Sequence, residues 1–129
     1  MGQQQLLLIV LGTIIVGVAV VVGINMFTTG AINAERDALL QDVNNIASSA
    51  AAYWRKPAAL GGGARSFLGV TDVTTFGAAD SNANGTFAIT TAATATDFGI
   101  TATGLNEGVI IVATITQNGV SGTPTITLP

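Results

Sequence analysis

One apolar run, without periodicity and with Thr13 its only polar side chain, extends from residue 6 to residue 24 (LLLIVLGTIIVGVAVVVGI), and the first charged residue is Glu35. Those nineteen positions, at about 1.5 Å of helical rise each, match the roughly 30 Å hydrocarbon core of a bilayer. A helix that is apolar all round needs hydrophobic neighbours on every side, whether lipid or protein. Beyond Asn25 the pattern becomes periodic. Ile32, Leu39, Val43, Ile46, Ala50 and Tyr53 recur at spacings of 7, 4, 3, 4 and 3, which is one face of a helix. Glu35, Arg36, Asp37, Gln41, Asp42, Asn44, Asn45 and Ser48 are expected on the opposite, solvated side. Arg55 and Lys56 suit a helix C-terminus, and Pro57 disfavours helical geometry in the residue before it. One helix from Gln3 to Lys56 would be about 80 Å long, with a bend expected at Thr28, Thr29 and Gly30.

The second half of the chain changes period. Residues 87–91 follow an Asn84, Gly85 turn signal, residues 109–116 read as the strongest strand, and Asn118, Gly119 introduces a last strand over 125–128. Residues 98–100 and 70–73 are weaker strand candidates. The predicted class is α+β: a long N-terminal helix, apolar in its first half and amphipathic in its second, with a small C-terminal antiparallel sheet packed on it. The expected segments are an apolar helix over 1–30, its amphipathic continuation over 31–56, a Gly-rich loop over 57–66 and a Thr-rich β-domain over 67–129. In that arrangement Leu39, Val43, Ile46, Ala50 and Tyr53 pack the helix against the domain, and the Thr-rich sheet face turns outward.

Composition narrows the chemistry. Only 9% of residues are charged and 49% are hydrophobic, and the net charge is −3. From Pro57 onward a single base, Arg65, stands against Asp72, Asp80, Asp97 and Glu107, so no phosphate-tracking surface, and no nucleic-acid partner, is expected. Cysteine and histidine are absent and Lys56 is the only lysine, which removes disulfides, thiolate zinc sites, catalytic triads and thiol nucleophiles. Gly61, Gly62 and Gly63 are followed by Ala64, Arg65 and Ser66, without the Gly-Lys-Ser/Thr of a phosphate loop. No enzyme is expected, and no cofactor unless calcium. Asp80, Asn82 and Asn84 alternate ahead of Gly85, which is the opening half of an EF-type calcium loop. Thr91 stands where such a loop places its bidentate Glu, so a plain polar loop leading into a hairpin is the competing reading.

The N-terminal run is longer than the apolar region of a cleaved secretory signal and has no basic residue before it, so it is expected to remain in the mature chain. Its small positions are Gly12, Gly17, Ala19 and Gly23; Ala19 and Gly23 form a small-xxx-small pair that lets helices approach closely.

In its order of elements, and in the character of its first thirty or so residues (GQQQLLLIVLG), the chain resembles a type IV pilin or a related pilin-like subunit. In that family a peptidase cuts after a glycine just ahead of the apolar stretch, and the N-terminal helices bundle into a filament core. The resemblance implies Gly2 and Gln3 as a processing junction. It implies a filament core packed by Leu6, Leu7, Leu8, Ile9, Leu11, Gly12, Ile14, Ile15, Gly17, Ala19, Val21, Gly23 and Phe27. Common members carry an acidic residue at the fifth mature position; here Gln5 or Leu7 stands there, depending on where the count begins. The implied partners are identical subunits in a helical homopolymer, the cytoplasmic (inner) membrane before assembly and a pilus assembly machinery. The implied location is an extracellular filament at the cell surface. A pseudopilin of a secretion system and a monomeric, single-pass surface protein are the alternatives.

Overall fold

The computed structural model describes residues 2–129. Helix α1 (Gly2–Arg55) is followed by two short 3-10 turns, Ala58–Leu60 and Val73–Phe76. Four strands come next, β1 (Gly85–Thr91), β2 (Asp97–Gly104), β3 (Ile110–Thr116) and β4 (Gly119–Thr127). The strands form one antiparallel sheet in the order β1-β2-β3-β4, each joined to its sequence neighbour. The α+β class and the helix-on-sheet arrangement are therefore observed. Two compact units divide the chain: one ends at Asn33, the other is Ala34–Pro129.

The first unit is helix alone. Thr13, Thr28 and Thr29 turn their hydroxyls onto the carbonyls four residues back, Ile9, Ile24 and Asn25, so these polar side chains are satisfied within the helix. The helix runs unbroken through residues 28–30.

The second unit holds the core. Its part of α1 buries Leu39, Val43, Ile46, Ala47 and Ala50. Facing them are the inward positions of the sheet: Phe87 from β1, Phe98, Ile100 and Ala102 from β2, and Ile111, Ala113 and Ile115 from β3. The strict in–out alternation of β3 is what an antiparallel strand with one solvated face requires. An aromatic cluster closes one end of this core. Tyr53 meets Phe76 edge-on at 5.2 Å, Phe76 stacks on Phe98 at 5.2 Å, and Phe67 meets Phe98 edge-on at 5.1 Å. The outward face carries Thr86, Thr101, Thr103, Thr114, Thr125 and Thr127 around Ile110 and Val112.

One local expectation is corrected. Residues 70–73 are not a strand; Asp72 Oδ1 accepts from the Thr74 backbone N–H and caps the 3-10 turn that starts at Val73. A short carboxylate at that position favours a cap over an extended ladder. The Gly-rich segment is a loop, as expected, and it also closes the end of the helix. Gly63, Ala64 and Arg65 fold back and donate their N–H groups to the carbonyls of Tyr53, Lys56 and Trp54, satisfying the open C-terminus of α1. A Cβ at Gly62 would overlap the Lys56 backbone, so glycine is required by close approach there. Trp54 Nε1–H reaches the Ala95 carbonyl at 3.0 Å and ties the same helix end to the β1–β2 loop.

Candidate functional site

Three features carry the polar and apolar groups singled out above. The first is the bare surface of the N-terminal unit. Every large apolar side chain from Leu6 to Ile24 is at least half exposed, and Phe27 reaches 83%. The stretch is long and apolar enough to cross a membrane. Gly12, Gly17 and Gly23 have nothing within 4 Å of where a Cβ would lie, so their notches are open among the described residues. Each costs the helix about 1 kcal/mol relative to alanine, and no described residue packs there to offset that cost. Gly2 and Gln3 lie in the first turn of the described helix, and Met1 lies outside the described residues.

A buried carboxylate at the start of the second unit is the next feature. Glu35 is 7% exposed, so its expected place on the solvated face is wrong. It stands four residues before Leu39 and continues the buried stripe backwards. The β2–β3 loop wraps its carboxylate. Oε1 accepts from the Asn106 N–H at 2.8 Å and the Glu107 N–H at 3.1 Å, and Oε2 from Glu107 at 3.1 Å and Val109 at 3.2 Å. Gly108, at φ +76°, lets the loop turn its amides inward. A Cβ at Gly104 would overlap the Glu35 carboxylate, so the end of β2 must be glycine for the carboxylate to fit.

Burial alone would raise the Glu35 pKa, but the backbone N–H groups of Asn106, Glu107, Val109 and Gly108 outweigh it and the net direction is downward. A carboxylate whose folded pKa lies below its unfolded one adds stability that is complete above the unfolded value and lost as pH falls toward the folded one. The fold should therefore weaken as pH drops through the ordinary carboxylate range, near 4.5, and below it. Urea midpoints measured between pH 7 and pH 3 check this: Glu35→Gln should be less stable at pH 7 and should flatten the acid limb.

Third is the polar loop ahead of β1. Asp42 Oδ2 accepts from Asn82 Nδ2 at 3.0 Å and from Asn84 Nδ2 at 2.8 Å, which ties the loop to the helix. Asn82 Oδ1 is occupied as well, accepting the N–H groups of Asn84 at 2.8 Å and Gly85 at 3.1 Å. The structure thus brings Asn82 and Asn84 together on Asp42. Asp80 lies instead in a shallow surface cavity with Asp72, Ser81 and Thr86. Among the described residues no three carboxylates converge.

Of the residues expected to pack helix on domain, Leu39, Val43, Ile46 and Ala50 are buried and Tyr53 is half-buried. Reading the stripe missed Ala47, which joins it at a position adjacent to Ile46, and Glu35. The signal for Glu35 was its periodicity: it falls on the apolar face, where an acidic residue stays charged only with donors around it. Comparison with protein-family models, with curated proteins and with solved structures returned no match to this chain.

Proposed function

We propose that this chain is the structural subunit of a helical, type IV pilus-like filament at the cell surface, held in the cytoplasmic membrane by its apolar helix before a pilus assembly machinery adds it to the polymer. The observation that carries this reading is the uncovered helix: residues 6–24 are apolar on every side, and among the described residues none covers them. Lipid tails are as apolar as Leu or Val, so leaving the bilayer for a bundle brings no hydrophobic gain. Association must come from close packing, and the open notches at Gly12, Gly17 and Gly23 give neighbouring backbones a place to approach. Copies related by a head-to-tail contact that does not close on itself extend into a filament. The subunit performs no turnover in this reading; its product is the polymer.

The helix length also favours a second reading, a single-pass anchor for a monomeric surface domain. Truncation tests the role of the helix. A chain lacking residues 1–24 should be soluble, monomeric by analytical ultracentrifugation and unable to polymerise. Filaments formed from that truncation would rule out the proposal.

A further inference from the structure

Strand β4 is bonded into the sheet, yet its inward side is incompletely covered: Val120 is half-buried and Ile126 is exposed. Val120 lies opposite Ile115 and Ile126 opposite Ile111. Both partners are fully buried, whereas β4 contributes no residue to the core. Ile126 is 37% exposed, and Leu128, the next residue in the same phase, is 48% exposed. A helix is about 10 Å wide and strands lie about 4.8 Å apart, so one helix covers roughly two to three strands. The inward residues of β1, β2 and β3 reach the core, and no residue of β4 does.

We infer that the inward face of β4 receives the apolar segment of α1 from a second copy of this chain, so that the helix–sheet layer continues from one subunit to the next. The inference rests on the self-assembly proposed above. Three observations select this occupant. The β4 face prolongs, at Ile126 beside Ile111 and at Val120 beside Ile115 on either side of a shift in pairing, the face that is buried on β3. Neither β4 nor the helix before Glu35 carries a charge, while all eleven charged residues of this net-negative chain lie elsewhere, so the two surfaces meet without bringing like charges together. The free edge of β4 is poorly built for strand addition: its pairing shifts register between Val112 and Thr114, Gly122 has φ +65°, and Pro124 has no N–H to donate. A second copy therefore comes onto the face, not the edge.

The chain has no cysteine, so single introduced cysteines report the contact directly. Full-length chains carrying Ile126→Cys are co-assembled with chains carrying Leu8→Cys, Val16→Cys or Ile24→Cys, and then oxidised. As a control, Val112→Cys, on the outward face, replaces Ile126→Cys. The expected result is a disulfide-linked dimer between position 126 and at least one helix position, several-fold more abundant than with the control. Material that sediments as polymer but cross-links equally from position 112, or only between two copies of position 126, overturns the inference and leaves self-assembly standing. Chains that never self-associate overturn both.

Discussion

Glu35→Ala should lower the stability of the second unit by about 3 kcal/mol, the order expected when several charge-assisted hydrogen bonds are lost and their N–H donors are left under a loop. For a unit of this size that corresponds to a fall of roughly 15 °C in melting temperature, measured on the detergent-solubilised full chain. The reason is local. Asn106, Glu107 and Val109 offer their N–H groups to one carboxylate, and among the described residues no other side chain accepts from them. Gly104→Ala should produce a loss of similar size by a different route, because its methyl group and the carboxylate need the same space. The two effects should not add. Once Glu35 is alanine the space is empty, and Gly104→Ala should then cost little. A double-mutant cycle with near-additive losses would show that the glycine matters for some other reason.

The second large effect falls on assembly and leaves the fold untouched. Val16→Asp places a carboxylate in the middle of the apolar run, where translocon-type scales assign an acidic residue about 3 kcal/mol and a packed bundle offers it no partner. Val16 is 61% exposed and belongs to a unit that makes no core, so the melting temperature of the second unit should stay within about a degree or two of the parent. Polymer should disappear from sedimentation and from electron micrographs. Val16→Ala, which keeps the surface apolar, should retain it. A Val16→Asp chain that polymerises normally would mean that residue 16 faces water in the assembly.

How much of this was legible beforehand depended on how local the signal was. The helix end at Arg55 follows from two cations and a proline. The strand pattern follows from alternation around Asn-Gly turns, and β3 matches it to within a residue. What escapes are groups whose role is fixed by a distant part of the chain. An acidic residue flanked by Arg36 and Asp37 reads as solvated, but the environment of Glu35 comes from a loop more than seventy residues away. The alternating Asp80, Asn82 and Asn84 suggest convergent oxygens. Asn82 and Asn84 instead turn their amide nitrogens to Asp42, some forty residues earlier, which a local pattern cannot reveal. Residues 70–73 have strand-like composition, but a capping carboxylate decides their backbone. The Gly-rich segment reads as a loop, and its function as a cap on α1 becomes visible only once the carbonyls it satisfies are placed.

In the proposed filament, residues 6–24 are buried by other copies of the chain. Cryo-electron microscopy of the full chain, sheared from cells or freed from detergent, measures this directly. The expected result is helical filaments whose interior is a bundle built from the segment between Leu6 and Ile24. Discrete single-pass particles, with that segment surrounded only by lipid or detergent, would contradict it.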